Sequence, residues 1–143
     1  MKKRRTASVI FGVILLCLFI LLAFHMRQVK VVCVGDSITY GSGAGRYRDT
    51  KSYPALLQKK LGNGYRVRNY GLRGRTILDY GNFPYKEEPE YKKTLKEKGD
   101  VYIIMLGTND SKVRNWNTED YKEQLRVFVT SYQKVNKLSL IHI

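Results

Sequence analysis

A serine that could act as a nucleophile lies in the segment VVCVGDSITYGSGAG, residues 31–45. An apolar, β-branched run ends at Gly35, and Asp36 and Ser37 follow directly. A serine on the turn after a strand can be presented beside free backbone N–H groups, which suits attack on a carbonyl carbon. The tripeptide alone is more often a turn or a helix cap, so Ser37 needs support from other loops.

Two further polar loops could complete such a site. Asn109, in the segment GTND, could donate its side-chain amide to a developing oxyanion. Gly74, in the segment NYGLRGRT, could offer an unobstructed backbone N–H to the same place. Each residue also has a simple structural interpretation, as a cap or a turn. Three polar loops in order along the chain nevertheless favour a functional site, because turns alone rarely produce such a pattern.

Other motif interpretations of the serine segment fit poorly. Residues 35–39 lack the second glycine of G-x-S-x-G, which disfavours the nucleophile elbow of the α/β-hydrolases. The segment GSGAG, residues 41–45, matches neither G-x-G-x-x-G nor a Walker motif. No motif indicates a metal or a cofactor.

Alternating strands and helices must position these loops. The hydrophobic pattern predicts strands at 29–35, 65–71 and 100–107, and helices at 52–62, 87–99 and 118–135. The predicted inward faces are Ala55, Leu56, Leu57 and Leu61 in the first helix, and Tyr121, Leu125, Phe128 and Tyr132 in the last. This order is typical of an α/β fold with a parallel sheet and helices on both faces. Active sites of such sheets lie at the carboxyl ends of the strands, where the three polar loops occur.

The N-terminal segment predicts a membrane anchor. Residues 9–24 carry no charge, and four cations precede them at residues 2–5. We expect residues 9–26 to be an uncleaved transmembrane signal anchor, residues 1–8 a cytoplasmic basic tail, and the remaining domain extracytoplasmic. A cleaved signal, and hence a secreted domain, is the alternative.

The basic composition has two interpretations. The chain carries 26 Lys and Arg against 12 Asp and Glu, a formal net charge of +14. Nucleic-acid binding is disfavoured, because the cations are scattered and no nucleic-acid signature occurs. A domain tethered beside anionic lipid or an anionic wall polymer would also benefit from such charge.

The segments GDSIT, NYGLRGRT and GTND resemble, in this order, the first three sequence blocks of the SGNH (GDSL-type) hydrolases. The resemblance spans residues 31–111 and extends to about residue 135. The segments SYPALL and IIMLGTNDSK resemble those of family members that are carbohydrate or sialate O-acetylesterases and lysophospholipase-like esterases. The resemblance implies a flavodoxin-like three-layer α/β/α sandwich. It also implies that Ser37 is the nucleophile, with an oxyanion hole of the Ser37 N–H, the Gly74 N–H and the Asn109 side chain.

The family's catalytic base belongs to an Asp-x-x-His block that this sequence lacks. Its two histidines are His25, in the apolar segment, and His142, which has Ser139 three residues before it. The segment LSLIHI, residues 138–143, equals the translation of a transposon-end sequencing adaptor. We therefore expect residues 29–137 to be the N-terminal part of a hydrolase domain whose gene continues. The resulting sheet would be incomplete, with strand order 2-1-3, an unpaired edge on the third strand, poor stability and almost no activity.

These observations predict a membrane-anchored serine esterase acting on a small-molecule or glycan ester, with O-acetyl carbohydrate as the expected substrate. An O-acyltransferase on the same scaffold is one alternative. The other is a non-catalytic surface module that binds anionic polymer or lipid. The oligomeric state is not indicated by the sequence.

Overall fold

The computed structural model describes residues 11–21, 27–112, 114, 116–135 and 139–142. Helix α1 comprises residues 11–21, and its side chains are exposed. The expected anchor, residues 9–26, extends beyond the described residues at both ends, and the basic tail lies outside them. Across the described ranges, no helix is both long and apolar enough to cross a membrane.

Four parallel strands form the sheet, in the order β2-β1-β3-β4. They are β1 (Val29–Gly35), β2 (Tyr65–Gly71), β3 (Val101–Met105) and β4 (Ser139–His142). The first two predicted strands are confirmed to the residue, and the order of the first three is confirmed. The third is shorter than predicted, because the chain leaves the ladder at Leu106 and Gly107 has φ +132°.

The predicted unpaired edge of β3 is wrong. Residues 139–142 pair with it in parallel, from Val101 opposite Ser139 to Ile104 opposite His142. An exposed strand edge presents unpaired N–H and C=O groups, and the segment after the last helix returns along that edge and pairs with them. The backbone of β4 therefore closes the edge that the sequence pattern left open.

Five helices follow α1 or connect the strands: α2 (Ser37–Tyr40), α3 (Arg48–Lys51), α4 (Tyr53–Leu61), α5 (Pro89–Lys96) and α6 (Thr118–Val135). Short 3-10 turns lie at Ser42–Tyr47, Gly62–Gly64, Tyr85–Glu87 and Asp110–Lys112. Helices α4 and α6 confirm the prediction. Helix α5 is shorter than the predicted 87–99 at both ends. It starts at Pro89 because Glu88 precedes a proline and takes an extended conformation, and it ends at Lys96, two residues before Lys98 with its positive φ. Helices α2 and α3 were not predicted.

The sheet is covered on both faces, which confirms the three-layer arrangement. On one face Val31, Cys33 and Ile103 pack against Tyr53, Leu57 and Leu61 of α4. On the other face lie Val32, Val34, Tyr102, Ile104, Phe128 and Tyr132, with Tyr121 and Leu125 packed against them. The predicted inward face of α6 is thus confirmed.

The predicted inward position of Leu56 is wrong, since its side chain is 46% exposed. Leu57 and Leu61 are four residues apart and share one helix face, whereas Leu56 lies about 100° around the helix from Leu57. Ala55, the fourth residue predicted to face inward, is half-buried.

Candidate active site

Ser37 lies where β1 reaches the carboxyl edge of the sheet and α2 begins. The preceding Asp36 is buried, and its Oδ1 accepts the N–H of Ile38 at 2.9 Å, which caps α2. The Ser37 side chain is half-buried. Neither its hydroxyl nor its backbone N–H bonds to another described residue.

Two glycines let α2 lie directly on the ends of β1 and β2. A Cβ on Gly35 would overlap Thr39 Oγ1 and lie 2.6 Å from the Met105 carbonyl oxygen. A Cβ on Gly71 would overlap the backbone nitrogen of Tyr40. Side chains at these positions would therefore push away the helix that carries the serine.

Gly74 lies in the loop after β2, with φ +76°, a conformation that favours glycine. Its N–H donates to no described residue. The loop is joined to the sheet by the Leu72 N–H, which donates to the Gly35 carbonyl at 2.9 Å. A free N–H is thus available in the loop next to α2.

Asn109 connects the three loops. Its Nδ2 donates to Asp36 Oδ2 at 3.3 Å and to the Arg75 carbonyl at 3.1 Å. Both partners are acceptors, so the amide must direct its NH₂ group towards them. Asp36 is adjacent to Ser37 and Arg75 is adjacent to Gly74, so one side chain ties together the ends of β1, β2 and β3.

Two cavities at this edge of the sheet are lined by the predicted site residues. Ser37 lines an open cavity of about 410 Å³ together with Ile38 and the glycine-rich turn that follows α2. Gly74 and Asn109 line another of about 190 Å³ with Phe83 and Lys112. The hydrogen bond from Asn109 to Asp36 connects a residue of the second cavity to the neighbour of Ser37.

Asp110 is a structural residue of the site that the sequence interpretation missed. It is fully buried, and its Oδ1 accepts the N–H groups of Ile77 and Leu78, both at 2.8 Å. Its Oδ2 is buried without a partner among the described residues. Burial raises the pKa of the Asp110 carboxyl above its ordinary value, although the N–H donors oppose the shift. An acid following a buried strand and next to Asn109 was the available signal.

No histidine side chain belongs to the described part of the chain. His25 lies outside it, and His142 is described only as backbone in β4. Within the same described residues, no cluster of three or more His, Cys, Asp or Glu could hold a metal ion. The described site contains Ser37, the buried carboxylates of Asp36 and Asp110, and N–H donors.

The chain is similar to known proteins. Residues 33–139 match the GDSL-like lipase/acylhydrolase family. Over 88 residues the chain is 50% identical to an acetylxylan esterase of Xylanibacter ruminicola, which covers 62% of this chain and 18% of that protein.

Two solved structures share the fold. A carbohydrate acetylesterase family member from Sinorhizobium meliloti has a TM-score of 0.58 and 26% identity, over 72% of this chain and 53% of that one. AlinE4, an SGNH-hydrolase family esterase, has a TM-score of 0.63 and 23% identity, over 81% of this chain and 58% of that one. The chain thus spans little more than half of either structure, and its sheet and helices have the SGNH hydrolase arrangement.

Proposed function

Because the chain belongs to the GDSL-like lipase/acylhydrolase family, we propose that the intact protein is a serine esterase with Ser37 as its nucleophile. The observation that carries the proposal is the pair of hydrogen bonds from Asn109 Nδ2, at 3.3 Å to Asp36 Oδ2 and 3.1 Å to the Arg75 carbonyl. These bonds hold the serine loop, the glycine loop and an amide donor at one edge of the sheet, and this proximity supports the proposal.

In the proposed reaction, Ser37 Oγ bonds to the ester carbonyl carbon while its proton passes to a base. The carbonyl oxygen becomes an oxyanion, which the N–H groups of Ser37 and Gly74 and the amide of Asn109 stabilise. The bond from Asn109 to Asp36 is the longer of its two, so we propose that this N–H turns to the oxyanion. The base then protonates the leaving alcohol, and water releases the acyl group.

The base itself is proposed to belong to an Asp-x-x-His block encoded beyond residue 137. No Asp-x-x-His occurs in the 143-residue sequence. Loss of a triad member typically lowers turnover by a factor on the order of 10⁴–10⁶. We therefore propose that residues 29–137 are the N-terminal part of the hydrolase domain, that residues 138–143 derive from an adaptor, and that this chain is almost inactive.

An O-acetyl group on a carbohydrate is the proposed substrate. The 50% identity to an acetylxylan esterase and the likeness to a carbohydrate acetylesterase family member support this choice. Residues 9–26 are proposed as a membrane anchor that tethers the domain on the extracytoplasmic side. The uncharged run with four preceding cations supports that part of the proposal.

Covalent labelling of the full 143-residue chain tests the nucleophile. A fluorophosphonate probe should modify Ser37 slowly, because a neutral hydroxyl is a weak nucleophile, and added imidazole should accelerate the labelling by replacing the base. The measurement is the mass of the peptide that contains Ser37. Ser37→Ala should abolish the adduct, whereas Ser111→Ala, which alters an exposed serine after the Asn109 loop, should leave it unchanged. Labelling of another serine, or equal labelling of Ser37→Ala, would contradict the assignment.

Sequencing the genomic locus past the codon for Lys137 tests the base. The reading frame should continue through further strands to an Asp-x-x-His. In that longer protein, Asn109→Ala should lower kcat for acetylated xylan by a factor on the order of 10²–10³. A stop codon directly after Ile143 would refute the proposed base, and acetyl transfer to an added glycan would favour the acyltransferase alternative.

A further inference from the structure

A larger cavity lies at the opposite, amino-terminal edge of the sheet, far from Ser37. Its volume is about 870 Å³, and it lies where β1 and β2 begin and where the chain turns into β3. We call it the amino-edge cavity. The side chains that line it are those of Arg27, Gln28, Lys30, Asn63, Arg66 and Lys98.

The amino-edge cavity has an excess of positive charge. Arg27 pairs with Asp100 at 2.8 Å, and the second oxygen of Asp100 accepts the backbone N–H of Lys30 at 2.8 Å. The side chains of Lys30, Arg66 and Lys98 have no carboxylate within 4.0 Å among the described residues. Three unpaired cations around one concave surface favour an anionic ligand.

The backbone of Lys98 allows a clean test of this cation. Lys98 has φ +50° and directly follows Glu97, the C-cap of α5, where helices commonly end in the left-handed conformation. Glycine adopts that conformation more easily than lysine does. Replacing Lys98 by glycine therefore removes the charge without adding backbone strain.

We propose that the amino-edge cavity binds the phosphate of anionic phospholipid headgroups and so docks the domain on a bilayer surface. A membrane is the source of phosphate because of where the cavity lies along the chain. Arg27 follows α1 after five residues, and all eleven residues of α1 are apolar or glycine with exposed side chains. The choice of lipid rests on the proposed anchor at residues 9–26, whereas phosphate binding by the cations does not.

Docking at this edge has a consequence for the ester site. Strand β1 has seven residues, so the two edges of the sheet are about 23 Å apart at a rise of about 3.3 Å per residue. A domain that contacts lipid through the amino-edge cavity therefore presents Ser37 on the side away from the bilayer. This orientation suits a glycan substrate that reaches the site from the aqueous side better than a lipid of the same bilayer.

The test uses the full chain in micelles of a neutral detergent. Binding of short-chain phosphatidylglycerol, phosphatidylcholine and free glycerol phosphate is measured by isothermal titration calorimetry. The double variant Arg66→Gln/Lys98→Gly removes two cavity cations. The matched control Lys122→Gln/Arg126→Gln removes two cations from α6, so both variants have the same net charge.

We expect phosphatidylglycerol to bind and phosphatidylcholine not to bind. The cavity variant should weaken binding roughly 10- to 30-fold, as expected for the loss of two cations near an anionic headgroup, and the control should change it less than about twofold. Lys98→Gly alone should weaken binding without lowering Tm, because glycine adopts a positive φ more easily than lysine.

Equal weakening in the cavity and control variants would overturn the proposal, since net charge alone would then explain the binding. Binding of glycerol phosphate without preference for phosphatidylglycerol would overturn the assignment to lipid. Unchanged binding in Lys98→Gly would overturn the role of this cation in the cavity. None of these readouts involves ester hydrolysis, so they are independent of whether Ser37 is a nucleophile.

Discussion

Replacement of Asp110 tests how the loop that contains Gly74 is held at the sheet edge. The buried Oδ1 of Asp110 accepts the N–H groups of Ile77 and Leu78, both at 2.8 Å. These bonds fix the chain a few residues after Gly74, close to the carbonyl that Asn109 contacts. Asp110→Ala removes both bonds and leaves two buried donors unpaired. Asp110→Asn keeps one oxygen that can accept them.

The expected magnitude follows from these two bonds. A hydrogen bond to a charged acceptor contributes about 1.5–3 kcal/mol and a neutral one about 1 kcal/mol. Two charged bonds sum to about 3–6 kcal/mol, and the cost of burying the carboxylate offsets part of this. We expect Asp110→Ala to lower the free energy of unfolding by about 3 kcal/mol and Asp110→Asn by about 1 kcal/mol. For a domain of this size, a loss of about 3 kcal/mol lowers Tm by roughly 10 °C.

Wild type and Asp110→Asn should also differ in their response to pH. Burial raises the pKa of Asp110 above 3.8, its ordinary value, so the folded state keeps the proton to higher pH than the unfolded state. The part of the Asp110 contribution that depends on pH is therefore complete below the ordinary pKa and is lost as pH rises through the raised pKa. The difference in unfolding free energy between wild type and Asp110→Asn should fall across that window and level off above it.

Urea denaturation and hydrogen exchange of the full chain measure both effects. The amides of Ile77 and Leu78 should exchange faster in Asp110→Ala than in Asp110→Asn. Asp49→Ala is the control, because the Asp49 side chain is 89% exposed and should change stability by less than about 0.5 kcal/mol. Equal destabilisation by Ala and Asn, or unchanged exchange at the two amides, would refute the reasoning.

Two further predictions concern the packing around β1 and β2. Gly71→Ala places a Cβ against the backbone of Tyr40 and should lower Tm markedly in a thermal melt. Gly64→Ala is the control, because its Cβ meets no atom within 4 Å and should leave Tm unchanged. Similar Tm values for the two variants would contradict the close approach of α2. Cys33 is buried, and burial raises the pKa of its thiol to about 11. Iodoacetamide should therefore modify Cys33 only after denaturation, as measured by mass spectrometry. Rapid modification of Cys33 in the folded chain would show that β1 is accessible.

The elements predicted to the residue are those with strong local signals. Strand β1 is an apolar, β-branched run that ends at a glycine, and α6 repeats apolar residues at helical spacing over 118–135. Helix α5 was predicted too long because charged residues continue before Pro89 and after Lys96, so the charge pattern marks neither end of the helix. Helix α2 was missed because four residues carry no periodicity, and its start depends on the side chain of Asp36.

The pairing of β3 shows a different limit of the sequence. Residues 101–105 predict a buried strand, but whether its outer edge is paired depends on where α6 returns the chain. A local pattern specifies which residues can form a strand and which face is apolar. It does not specify the neighbour across an edge, which is why the predicted open edge was wrong.

The sequence by itself determined the alternation of strands and helices and the polar loop at each strand end, because hydrophobic periodicity and glycine act over a few residues. Only the tertiary structure decided that Asn109 reaches both Asp36 and the Arg75 carbonyl, across separations of 73 and 34 residues. Those contacts require β1 to lie between β2 and β3, so that three loops distant in sequence leave the sheet side by side. The same order gathers unpaired cations at the other ends of the strands, because each edge of a parallel sheet collects the residues at one end of every strand.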